Sequence, residues 1–105
     1  MQRITFPAAC VLQALSKGEA FGLDIMERTD LPSGTVYPML RRFEHSGLVS
    51  SDWETPEEAV AGRRPKRRNY ALTVEGWDAL ERARARYHKQ LAVLDLSEPE
   101  TSFTG

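Results

Sequence analysis

The chain has 105 residues, enough for one domain with a modest core and too few for two. Its 41% hydrophobic content marks a globular chain, and its single cysteine, Cys10, excludes an intrachain disulfide and a multi-cysteine zinc site. The formal charge of −1 is only a weak objection to a nucleic-acid partner, because seven of the fourteen basic residues lie between Arg41 and Arg68.

No apolar run approaches the ~20 residues of a membrane helix. Met1-Gln2-Arg3 opens without a signal-type apolar segment. A soluble, cytoplasmic protein with no membrane partner is therefore expected. Phe6 to Leu15 carries Ala8, Val11, Leu12 and Leu15 at i, i+3, i+4 and i+7, which predicts an amphipathic helix with Pro7 in its first turn and Gly18 beyond its end. Gly22 to Thr29 reads as a short second helix with Ile25 and Met26 inward, and Asp30-Leu31-Pro32 as a tight turn.

A third helix follows, with Ser33 as its expected N-cap. Val36, Met39, Leu40 and Phe43 form a buried stripe, while Gly34, Tyr37, Pro38, Arg41 and His45 share the other side. Gly47 fits the C′ position and Leu48 the hydrophobic contact after it. Val49, Ser51 and Trp53 then alternate with polar residues as a half-buried strand, and Tyr70 and Leu72 do so in a return strand. The stretch from Thr55 to about Lys66, rich in Pro, Gly and charge, is expected to be an irregular loop. Arg63-Arg64-Pro65-Lys66-Arg67-Arg68 puts five cations into six positions, with Arg63 and Arg64 expected at its tip. Arg68, next to the strand, is placed to pair with Asp52 or Glu54.

Thr73 caps a last helix, read as continuous from Val74 to Leu94. Leu80, Tyr87 and Leu94 recur every seven residues along it, and so do Trp77, Arg84 and Leu91. That seam is too apolar for one small domain to cover and implies a partner, most simply a second copy. The organisation expected is an α+β winged helix-turn-helix over residues 1–72, made of a three-helix core and a two-stranded wing. A long C-terminal dimerisation helix (73–96) and a flexible tail (97–105) follow it.

A groove-entering helix followed by a cationic loop is the layout of a module that binds double-stranded DNA. The contact candidates are Ser33, Thr35, Tyr37, Pro38, Arg41 and Arg42 on the third helix, and Arg63, Arg64, Lys66 and Arg67 in the wing. The alternative is a winged-helix module that binds protein and not DNA. Cys10, His45 and His88 are scattered, so neither a metal nor a cofactor is expected. There is no Gly-rich phosphate loop and no Gly-x-Ser-x-Gly elbow, so catalysis is not expected.

Ser16-Lys17-Gly18-Glu19-Ala20-Phe21-Gly22-Leu23-Asp24-Ile25, Gly34-Thr35-Val36-Tyr37-Pro38-Met39-Leu40-Arg41-Arg42-Phe43-Glu44, Gly47-Leu48-Val49 and Arg67-Arg68-Asn69-Tyr70-Ala71-Leu72-Thr73-Val74-Glu75-Gly76 resemble the PadR family of bacterial transcriptional regulators. The resemblance spans about residues 5 to 90. It departs at Pro32-Ser33, where the family often has Ser-Pro, and at Leu23, where an aromatic is common. It implies a dimeric repressor on an inverted-repeat operator, often released by a small effector. It also implies a dimer made by the C-terminal helix packing on the partner's first helix. Val11 and Leu15 then join Trp77, Leu80, Arg84, Tyr87, Leu91 and Leu94 as interface candidates. Trp77 is also a candidate effector contact, against its ordinary role as interface core.

Overall fold

The structure, a computed structural model, describes residues 3–96 and the side chains as far as Val93. Its elements run α1 (Phe6–Ser16), α2 (Gly22–Thr29), α3 (Ser33–His45), β1 (Val49–Trp53), α4 (Pro56–Ala61), β2 (Arg68–Leu72), α5 (Val74–Arg86) and α6 (His88–Leu96). This is the expected α+β winged helix, with two additions to the expected elements: a helix inside the wing and a break near the C-terminus.

Helix α1 is the centre of the fold. Thr5 caps it, its hydroxyl accepting from the Ala8 N–H at 3.3 Å, and every residue from Ala8 to Leu15 is buried. A stripe alone would predict one solvated side. Instead α2, α5, α6 and β2 all pack on it, as a helix apolar nearly all round requires. Gln13 is the polar exception, and its side-chain oxygen accepts from Arg84 Nε at 3.1 Å.

Helix α3 buries Val36, Met39, Leu40 and Phe43 as its spacing predicts. It begins differently from the sequence reading. Pro32 is the N-cap and Ser33 the first helical residue, with no side-chain cap bond. The Pro32 carbonyl accepts from Thr35 and Val36, so the first turn closes without Ser33. At the other end Gly47 takes φ 83°. Leu48 N–H bonds the Phe43 carbonyl at 2.9 Å and Gly47 N–H the Glu44 carbonyl at 3.2 Å, a Schellman closure.

The two strands pair antiparallel, with Val49 opposite Leu72, Ser51 opposite Tyr70 and Trp53 opposite Arg68. Tyr70 N–H also bonds the Ala20 carbonyl at 2.8 Å, so the turn before α2 holds the free edge of β2. Between the strands, α4 replaces the expected irregular loop. Thr55 and Glu58 form a reciprocal capping box, with Pro56 in the first turn.

The expected continuous helix from Val74 to Leu94 is two helices. Thr73 caps α5, accepting from Gly76 N–H at 3.0 Å while donating to the Gly47 carbonyl at 2.6 Å. A Cβ on Gly76 would stand 2.0 Å from the Leu48 carbonyl oxygen, so only glycine lets α5 start this close to α3's exit. The break falls at Tyr87, with φ −115° and ψ 31°. Its hydroxyl donates to the Ile4 carbonyl at 2.9 Å and its ring meets Phe6 edge-on at 5.4 Å. Beyond it Leu91 packs with Ala9, Cys10 and Ala83.

The seam is thus covered from within the chain. Leu80 and Val11 are fully buried and Leu15 and Leu91 nearly so, and none of the four offers surface to a partner. Arg84 is held by Gln13, Ser16 and Glu81. Of the expected interface residues whose side chains are described, only Trp77, 45% exposed, remains prominent at the surface. The Leu94 side chain and the tail (97–105) lie outside the described residues.

Leu80, at the junction of α5 with the core formed by α1 and α3, should cost ~2–5 kcal/mol of stability when replaced by alanine. Urea unfolding reads this as a lowered midpoint at unchanged slope. A change below ~1 kcal/mol would mean that α5 is not docked as described.

Candidate nucleic-acid interface

Helix α3 offers its outer side to solvent. Ser33, Gly34, Tyr37, Arg41, Arg42 and His45 are exposed, and Thr35 and Pro38 are half-buried. Tyr37 is both packed and presented. A Cβ on Gly22 would fall 2.3 Å from its ring, so the hydroxyl end of the ring lies close against the start of α2, yet the residue is 37% exposed. The hydroxyl of Tyr70 on β2 is pushed above its ordinary pKa chiefly by burial, and the charge fields of both Tyr37 and Arg41 reach it.

The wing is organised by two carboxylates. Ser51 donates to Glu44 at 2.6 Å and accepts from Arg68 Nε at 2.9 Å, while Arg68 reaches Glu44 at 3.5 Å. The Ser51 hydroxyl holds the Glu44 carboxyl below the ordinary glutamate value. Partial burial opposes it, and Arg68 reinforces it by charge and hydrogen bond. The same guanidinium lies 5.1 Å over the exposed Trp53 ring, its cross-strand partner.

Glu54, at 4% exposure, is the second anchor. It accepts from the Arg67 backbone N–H at 3.1 Å, from the Arg67 guanidinium at 3.3 Å and from the Arg64 guanidinium. Arg67 also stacks 3.5 Å over Phe21. Burial by itself pushes the Glu54 carboxyl up, but the bonds from Arg67 and Arg64 outweigh it and hold it below the ordinary value. The Nε atoms of Arg64 and Arg67 are buried with no hydrogen-bond partner among the described residues, so both side chains depend on Glu54.

These contacts correct two expectations. Arg64 turns back onto Glu54 and leaves Arg63, at φ 55°, and Lys66 as the exposed cations of the tip. Arg68 pairs with Glu44 across the sheet and not with Asp52 or Glu54. Helix α4, which the sequence reading missed, supplies the turn that returns Arg64. Its signal was present in Thr55-Pro56-Glu57-Glu58. Ser33, Thr35, Tyr37, Pro38, Arg41 and Arg42 all belong to one helix, and the structure gathers Arg64 and Arg67 on one carboxylate. Cys10 is buried on α1, where desolvation raises its thiol pKa.

Glu54→Gln keeps the side chain's shape and removes its charge. The native carboxyl titrates below its unfolded value, so its stabilisation is present above that value and lost as pH falls through the folded one. The melting temperature of the variant should lie below that of the native protein near neutral pH. The gap should close as pH drops below about 4.5. A gap that persists in acid would assign the loss to shape rather than charge.

The chain matches the family model described as the PadR-like family of transcriptional regulators over residues 11–82. It is similar to a PadR family transcription regulator from Clostridium difficile R20291, at 24% identity and a TM-score of 0.69, covering 88% of this chain and 97% of that one. It is also similar to a PadR family transcriptional regulator from Eggerthella lenta DSM 2243, at 28% identity and a TM-score of 0.58, covering 86% and 82%. A PadR-like transcription factor from Bacteroides fragilis gives 25% identity and a TM-score of 0.62, covering 86% and 87%. No curated protein sequence matches the chain. No described helix is long and apolar enough to cross a membrane. A winged helix with this α3 face and a match over more than half its length place the chain in the PadR-like family of DNA-binding transcriptional regulators.

Proposed function

We propose that the protein is a repressor that binds an inverted-repeat operator as a homodimer. The observation that carries the reading is how its cations are partnered. Arg28, Arg64, Arg67, Arg68, Arg82 and Arg84 each hold a carboxylate. Arg41 and Arg42 on α3 and Arg63 and Lys66 at the wing tip have no ion pair among the described residues, and all four are exposed.

In this reading α3 enters the major groove with Ser33, Thr35, Tyr37 and Pro38 near base edges and Arg41 and Arg42 toward phosphates. The wing lies on flanking backbone through Arg63 and Lys66, with Arg64 and Arg67 fixing its shape and adding long-range field. Two copies would set their recognition helices one duplex turn apart, ~34 Å. Val74, Trp77 and Val93 are exposed apolar side chains of the C-terminal helices, which favours a second copy there. Trp77 is also the exposed ring on which a small planar effector would stack, shifting the dimer away from the groove spacing. Repression follows when the operator overlaps a promoter. Selection of bound sequences from a random duplex library tests the reading, and an inverted-repeat consensus is expected. Absence of any DNA binding would favour a protein-binding winged helix instead.

Arg63→Ala with Lys66→Ala should weaken operator and random duplex alike and flatten the dependence of log K on log salt by up to ~2 units. Loss confined to one operator base would make the wing a reader of sequence. Separately, Trp77→Glu should give monomers by light scattering at nearly native melting temperature, since the ring is already half in water. A persistent dimer would move the interface elsewhere.

A further inference from the structure

On the side of α3 away from the wing lies an open groove between α3, the start of α1 and the middle of α5. Its rim carries Arg3, Arg41, Arg42, His45 and Arg82, and among the described residues no carboxylate lines it. Its floor is apolar and includes Phe43 and Ala79, which are themselves buried at 6% and 1% exposure, and the cations stand around it on the rim. Arg3, Arg41 and Arg42 have no ion pair among the described residues. Arg82 pairs with Asp78 one helical turn away, in a contact whose side chains are 49% and 71% exposed. Such exposed pairs are weak and exchange readily for another anion.

The groove continues the proposed DNA face. Pro38, Arg41, Arg42 and His45 line it at i, i+3, i+4 and i+7 of α3, a single stripe of that helix. Glu44, three residues after Arg41, turns the other way and meets Ser51 and Arg68 of the wing, so the groove stripe and the wing contact lie on different flanks of α3. An α-helix with side chains is ~10–12 Å across, about the ~12 Å width of the major groove. A helix that fills the groove therefore brings its two flanks against the two phosphate backbones that border it. The wing flank meets one strand, and the cationic groove meets the other.

We propose that Arg3 and Arg82 grip the phosphates of the strand on the far side of the major groove from the wing, so that α3 is held between two backbone contacts. The inference rests on the reading of α3 as the DNA-entering helix. It adds two residues outside the helix-turn-helix and the wing. A phosphodiester backbone suits the groove because its cations are spread around the rim, from Arg3 before α1, through Arg41 and Arg42 of α3, to Arg82 of α5, instead of converging on one point.

The test is a salt titration of the full chain on random duplex, read by fluorescence anisotropy. Arg3→Ala with Arg82→Ala should lower the slope of log K against log salt by up to ~2 units, at ~0.9 per phosphate contact, and weaken binding at fixed salt. Arg3→Lys with Arg82→Lys should restore most of the slope. Lys17→Ala with Lys89→Ala removes the same charge away from the groove and should leave the slope near native. An unchanged slope in the Arg3 and Arg82 double variant, or equal flattening by the Lys17 and Lys89 pair, overturns the proposal while the DNA-binding face stands. If the native protein shows no salt-dependent binding, both fall together. A melt of each variant separates lost contacts from lost fold, and the single Arg3→Ala change, outside every helix, supplies the reading if the Arg82 variants unfold.

Discussion

Everything in this structure leans on the burial of α1 from Ala8 to Leu15. That stretch, made of Ala, Cys, Val, Leu and one Gln, has no side to show to water, so the chain must surround it, and α2, α5, α6 and β2 do so. Gln13 makes that burial specific. Its oxygen takes Arg84 at 3.1 Å, which also reaches Ser16 at 3.3 Å, so α5 is keyed to α1 by polar geometry as well as by apolar area. The return of α6 follows from the same demand. Leu91 covers Ala9 and Cys10 only because the chain turns at Tyr87, whose hydroxyl is tied to Ile4.

The placement of α3 is a consequence of this core. Val36 and Leu40 are fully buried in the same cluster as Leu12 and Leu80, which forces the opposite side of α3 outward. The Schellman closure at Gly47 turns the chain into β1, and the close approach of Gly76 to Leu48 brings α5 back to the same corner. Two glycines thus join the exit of α3, the wing and the C-terminal helices at one point. The face of α3 that we propose meets DNA is the outer side of a packed helix, which fixes its shape.

Periodic segments were legible because their spacing is a local property. The stripe of α3, the strand alternation and the Thr73 cap all appear where their spacing and cap signals put them. What escaped sequence reading depended on partners distant in the chain. The heptad seam through Leu80 and Leu91 looked unpartnered because α1, some seventy to eighty residues earlier, is what covers it. The wing cations looked interchangeable because nothing local shows that Glu54 collects Arg64 and Arg67 while Arg68 crosses to Glu44. Helix α4 is a different case. Its capping box was local and readable, but composition rich in Pro, Gly and charge outweighed it.

A net charge of −1 and the proposed DNA-facing surface are reconciled by that sorting. An arginine on a buried carboxylate contributes to shape, since leaving either group alone at that depth is costly. An arginine in open water contributes to binding, since counterion release needs accessible charge. The buried Glu54 holds Arg64 and Arg67 as the frame of the wing, and Arg68 is tied in through Ser51 and the half-buried Glu44. That frame leaves Arg63 and Lys66 outermost, and the uncommitted cations of α3 line its outer side. Neutralising the acidic residues of the wing would raise the net positive charge without improving the site. The arginines it released would lose the positions that make the wing a surface at all.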